Sequence, residues 1–145
     1  ADDGALVCRG EFFGVSILLL SDLGRPGQER LLERTPDLRA DIVVSGIPTQ
    51  TEPLNDALLD AIRPRLIIIA DSELPATTRA NERLKERLAR RNTKVIYTRE
   101  AEAVTISFRA NECEIKTANN QRFKLQELPA MKQAIPLPPS EPGER

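Results

Sequence analysis

The chain has 145 residues, 40% hydrophobic and only 3% aromatic, and its 21 Lys+Arg against 22 Asp+Glu leave a formal net charge of −1. That is the size of one domain able to bury a core without disulfides or a structural metal, and the balanced charge excludes a global pull toward nucleic acid or anionic membrane, so such binding must come from a local patch. There is no histidine, which removes the usual general base, the usual zinc ligand and the usual catalytic triads together.

In chain order, "ALVCRG" and "GVSILLLS" are β-rich runs joined by "EFFG", a short hairpin ending in Gly14. "GVSILLLS" is too short to span a bilayer and lacks the basic flank of a signal peptide, so the chain as given reads as soluble. Pro26 and Gly27 break the second strand, and "GQERLLERT" follows as a short helix with Leu31 and Leu32 on one face. "ADIVVSG" is a short apolar run, and "EPLNDALLDAI" places Leu54, Ala57, Leu58, Ala61 and Ile62 at helical spacing until Pro64 ends it. "RLIIIADS" is apolar at consecutive positions, the pattern of a strand covered on both faces. "TTRANERLKERLARR" predicts a charged helix with Leu84 and Leu88 pointing inward, and "KVIYTR" a further strand. "AVTISFRA", "CEIKT" and "RFKLQEL" alternate as edge or meander strands around a "TANNQ" turn. No internal repeat is present.

The alternation of strands and helices predicts an α/β fold: a mixed, mostly parallel sheet with right-handed crossovers, entered by an antiparallel hairpin and closed by antiparallel strands. The domain is expected over residues 1–128, with a proline-rich tail or linker over 129–145. Sequential strand order puts all three helices on one face, yet "ILLL" and "LIIIA" are apolar on both. The second face then needs a cover, either another part of the same polypeptide or a second copy of this chain. Cys8 and Cys113 belong to no CxxC pair and read as buried thiols, a disulfide being the alternative.

In open α/β sheets ligands bind beyond the carboxyl ends of the parallel strands. That rule selects Ser21 and Asp22, the loop over 46–51 with Thr49, Asp71 and Ser72 with Glu73, and residues 98–100. Asp22 and Asp71 each follow a long apolar strand; they either share a pocket, as a magnesium site or an acid/base pair, or cap the next turn as solvated strand-end residues. "DLGRPG" has the glycines of a phosphate loop without the Walker spacing or its lysine. Ser21, Ser45 and Ser72 have no histidine to activate them, and the nearest lysines, Lys85 and Lys94, lie on a surface-like helix and before a strand. Arginines bunch at Arg79, Arg83, Arg87, Arg90, Arg91 and Arg99 and are the positions for phosphate contact, although interleaved glutamates also fit a solvated helix face. Four Phe and one Tyr are thin material for stacking bases.

Several strings resemble the second half of the metallo-β-lactamase-fold domain of ComEC-type DNA-uptake (competence) proteins, over roughly residues 2 to 109. "GALVCRGEFFGVSILLLSD" runs like the family's strand pair of the type "NSLVLRLEYG…LLTGD", with Asp22 at its metal-bridging aspartate and Ser21 replacing the usual glycine. "ADIVVSGIPTQ" and "LLDAIRPRLIII" are similar in register to "ADVLKVPHHGS" and "LDAVRPR", and "VIYTREAEAVTISF" to "VYRTDEDGAVTV". The resemblance implies that the family's paired histidines fall on Ile47 and Pro48, and a later His-Pro on Leu74 and Pro75. Only Asp22 then remains of the second-half ligands, a vestigial metal position. Ile47, Pro48 and Leu74 offer no donor to zinc or manganese.

The resemblance implies a metallo-β-lactamase-like half-sandwich with helices on one face, without catalytic residues, metal or other cofactor. As partners it implies the rest of a ComEC-type membrane protein, or a second copy forming a homodimer over the uncovered sheet face, with weak DNA contact and no membrane insertion by this chain. It places the chain as a soluble, extracytoplasmic domain of an inner-membrane protein. Two rival expectations stand beside it: a metal-dependent phosphodiesterase using zinc or manganese, completed by an upstream half, and a free-standing interaction module.

Overall fold

The computed structural model describes residues 4–129. The proline-rich segment assigned to a tail lies, apart from Pro129, outside the described residues.

Strands β1 (Cys8–Phe12) and β2 (Val15–Leu19) form a hairpin with an unbroken five-pair antiparallel register. Its two-residue turn places Phe13 at φ 50° and Gly14 at φ 80°, the sign pattern that a type I′ turn requires to match the twist of the flanking strands. From β2 the chain alternates: α1 (Arg25–Arg34), β3 (Ile42–Gly46), α2 (Asp56–Ile62), β4 (Leu66–Ala70), α3 (Glu82–Ala89) and β5 (Lys94–Tyr97). The strands lie in sequential order, and β2 through β5 are parallel.

Period-two alternation divides the side chains of this sheet between two cores. Leu18, Val43, Ile67 and Ile69 point to the face carrying the helices and pack with Leu58, Leu59, Ile62, Leu84 and Leu88. All three long helices therefore share one face, as the strand order predicts. Ile42, Leu66, Ile68 and Ile96 point to the opposite face.

That opposite face corrects the sequence reading. The strands β6 (Val104–Arg109), β7 (Glu112–Thr117) and β8 (Arg122–Lys124) do not close the first sheet; they form their own three-stranded antiparallel sheet. Its Cys113, Ile115 and Ile106, with Leu125 behind them, pack on Ile42, Leu66, Ile68 and Ile96. The chain thus covers its own second face, and the reason for invoking another half or another copy there falls away. The architecture is three-layered: helices, five-stranded mixed sheet, three-stranded sheet. Burying each such aliphatic side chain stabilises the fold by about 1.5–3 kcal/mol relative to exposure, which explains why "LIIIA" needs cover on both sides.

Three local features also differ from expectation. The helix expected from Thr77 begins only at Glu82; a 3₁₀ turn at Ala76–Thr78 precedes it, and Asn81 caps it by accepting a hydrogen bond from the Leu84 amide at 2.8 Å. The run "KVIYTR" leaves the strand at Tyr97 and turns into a one-turn helix, α4 (Thr98–Ala101). "RFKLQEL" is strand only over Arg122–Lys124, followed by a 3₁₀ turn at Leu125–Glu127. Both cysteines are free thiols, Cys113 buried and Cys8 exposed, so burial holds for one of the two.

Candidate functional site

Beyond the carboxyl end of β3, on the helix side, lies a cleft of about 970 Å³. The loop over 47–53 forms its floor, Arg25 and Glu29 of α1 one wall, and the segment over 76–87 the other. The loop is held from below. Gly46 donates its amide to the Ser21 carbonyl at 2.7 Å, and a Cβ at Gly46 would stand 3.3 Å from that oxygen, so the two backbones approach as closely as glycine allows. Gln28, on the buried face of α1, clamps the far end: its Nε2 donates to the Leu23 and Glu52 carbonyls at 2.9 and 3.1 Å, and its Oε1 accepts the Asn55 amide at 2.8 Å. The sequence reading missed Gln28, although its spacing of three and four from Leu31 and Leu32 places it on the same helical stripe.

Of the five residues grouped by sequence as a strand-end pocket, Thr49 alone lines the cleft. Ser21 and Asp22 are exposed, and the Ser21 hydroxyl donates to Asp22 Oδ1 at 3.3 Å. Ser72 is exposed and within 2.6 Å of the Thr78 hydroxyl. Asp71 is buried and fully used: Oδ1 accepts the Arg99 amide at 2.9 Å, Oδ2 the Ala80 amide at 3.3 Å, and its own backbone exchanges bonds with the Thr98 hydroxyl. Asp71 therefore caps α4 and ties it to the segment before α3, as a structural carboxylate.

The positions that the resemblance aligns with metal ligands are also dispersed. Ile47 packs against the helix-side core and Pro48 is buried, both at the cleft, whereas Leu74 is 78% exposed outside it. Among the described residues no three of His, Cys, Asp and Glu group as a cation site. One exposed carboxylate, Asp22, with two aliphatic side chains and a proline at the other aligned positions, does not fit zinc or manganese, which need nitrogen, sulfur or several oxygen donors.

The six arginines divide by burial. Arg91, with a side chain only 8% exposed, reaches Asp60 at 2.5 Å and Asp56 at 2.7 Å. Burial disfavours its charge, but the bonds to Asp56 and Asp60 outweigh that and raise its pKa above the ordinary value. The same hydrogen bond from Arg91 holds the Asp56 carboxyl below its usual range. Arg87 spends its guanidinium on the Leu54 and Pro53 carbonyls at 2.6 and 2.8 Å and on Glu52 at 3.2 Å. Arg79 and Arg99 both grip Glu73, at 2.7 and 2.8 Å. Arg83 and Arg90 face solvent, Arg83 with Glu52 Oε1 at 3.8 Å as an ion-pair partner. Arg25, Arg79, Arg83 and Arg87 line the cleft, and Arg90, Arg91 and Arg99 do not.

Polar atoms without hydrogen bonds occur in this same cleft: Glu52 Oε1 and Arg79 Nε are buried and unbonded among the described residues. The arrangement can bind through cations, amides and carboxylates. No family model, no curated protein and no solved structure matches the chain significantly, so the likeness to the ComEC-type domain rests on the strings quoted above.

Proposed function

We propose that this chain is a degenerate, non-catalytic counterpart of the second half of the metallo-β-lactamase-like domain of a ComEC-type DNA-uptake protein, a structural module that contacts DNA without cleaving it. The observation that carries the reading is the chemistry of the cleft at the sheet's carboxyl edge. Hydrocarbon occupies the two aligned ligand positions at the cleft, Ile47 and Pro48, with Ile47 packed against the core, while Arg25, Arg79 and Arg83 line the same opening. Such a surface supplies phosphate contacts and no histidine to activate its threonine hydroxyls. Among the described residues no helix is long and apolar enough to cross a membrane.

The test is anisotropy with labelled single-stranded DNA over a salt series, alongside a nuclease assay with zinc or manganese. The expected result is weak, salt-dependent binding without cleavage, and a slope in log K against log salt that falls by about 0.7 for Arg83→Ala if one phosphate contact is lost. Binding insensitive to salt would remove the DNA-contacting role. Metal-stimulated cleavage abolished by Asp22→Ala would replace the reading with the phosphodiesterase.

A further inference from the structure

We infer that two copies of this chain pair edge to edge through β1, in one antiparallel register centred on Gly10. The inference concerns a surface remote from the cleft and stands whether or not the chain touches DNA.

Among the described residues β1 is the outermost strand of the five-stranded sheet, and no strand pairs with its outer edge. Natural edges are blunted by bulges, prolines or lysines. Here β1 reads "CRGEF" and keeps continuous register from Cys8 to Phe12, without any of these. Among the described residues, four of the five exposed large hydrophobic side chains, Leu6, Phe12, Phe13 and Leu19, belong to this hairpin or its entry. Phe12 touches Phe108 of the smaller sheet at 5.0 Å between ring centroids, yet half of it stays in water.

The hydrogen-bond phase of the hairpin decides which backbone groups the edge offers. A two-residue turn makes Phe12 and Val15 a hydrogen-bonded pair, and alternation makes Gly10 and Ile17 another. Ser16 confirms this phase: its amide donates to Asp41 Oδ2 at 2.9 Å and its carbonyl accepts the Asp41 amide at 3.0 Å, away from β1. The amides and carbonyls of Arg9 and Glu11 therefore face the open edge.

A second copy related by a two-fold axis through Gly10 sets Arg9 opposite Glu11 of the second copy, and Glu11 opposite its Arg9. The backbone phase makes both of these hydrogen-bonded pairs, so four main-chain bonds form, with two opposed charge pairs as each Arg9 guanidinium, which in the single chain donates to the Asp37 carbonyl at 3.2 Å, turns to the facing carboxylate. Gly10 meets Gly10 of the second copy at the axis, and in each chain the Phe12 ring lies over its own glycine, 2.8 Å from where a Cβ would stand. On the other face Cys8 lies opposite Phe12 of the second copy and covers part of the exposed apolar rim. Edge charges usually discourage pairing; a cation and an anion placed symmetrically about a glycine permit one self-complementary register and penalise a slip by two residues in either direction. A net charge of −1 leaves little long-range repulsion between copies.

Sedimentation velocity over a concentration series is the first measurement, with circular dichroism to check that each variant is folded. The parent is expected to dimerise. Arg9→Glu and Glu11→Arg should each weaken the dimer about tenfold or more, because each places like charges opposite one another twice. The double swap, Arg9→Glu with Glu11→Arg, should restore it. Phe12→Cys adds a thiol opposite Cys8 of the second copy; on oxidation with diamide it should give a dimer whose linking peptide joins positions 8 and 12. A parent that stays monomeric to its solubility limit overturns the inference. So does a dimer indifferent to both single reversals, which would place the contact elsewhere.

Discussion

At the scale of single residues, side chains that look like surface chemistry in the sequence turn out to hold the fold. Arg87 and Arg91 belong to a run of charges, but helical spacing puts positions 84, 87, 88 and 91 on one stripe, two leucines and two arginines. That much was legible. Their carboxylate and carbonyl partners at 52–60 were not, because only tertiary packing brings α2 and its preceding loop beneath α3. Asp71 was legible as a cap, its clients Arg99 and Ala80 were not.

Tyr97 shows what such packing does to acidity. It is the chain's single tyrosine, partly buried against the helix-side core with the Lys85 ammonium 5.1 Å from its ring centroid. Burial, then the carboxylates of Asp71 and Glu100, push its phenol up to about 12. Folding therefore favours the neutral phenol. That contribution is complete below the ordinary value of 10.0 and is lost as pH climbs to about 12. A spectrophotometric titration should show no tyrosinate until about that pH, or until the chain unfolds; ionisation at the ordinary value in a folded chain would refute the buried environment.

At the scale of elements, the apolar runs marked every strand of the five-stranded sheet, because β-rich stretches bounded by Gly, Pro and Asp have few other uses. Helix starts were harder. "TTRANERL" carries its start signal at Asn81, four residues after the threonine from which helix was expected, and the cap's hydrogen bond to Leu84 decides the boundary. Asn81→Ala should cost about 1 kcal/mol in urea unfolding, and Asn81→Asp much less, since a carboxylate also accepts the amide and suits the helix dipole. Equal losses for both variants would show that the amide side chain has some other task.

For the whole molecule, the alternation of "AVTISFRA" and "CEIKT" announced half-buried strands without saying on what they would lie. Period two fixes which residues point together, not whether a strand joins a sheet's edge or lies across its face. The layer formed by β6, β7 and β8 makes the five-stranded sheet common to two cores, one centred on Leu88 and the other on Ile115, both fully buried. Leu88→Ala and Ile115→Ala should each cost about 2–5 kcal/mol. Each variant should still unfold in one transition, coincident by circular dichroism and by labelling of the buried Cys113 thiol. Two separated transitions in either variant would mean that the cores melt independently.

The sheet shared between these cores has a consequence for biosynthesis. A ribosome delivers β2 through β5 before residues 104–128, so Ile42, Leu66, Ile68 and Ile96 meet water or a chaperone until the final strands leave the exit tunnel. A chain terminated just after Tyr97 keeps every long helix and leaves this apolar face bare.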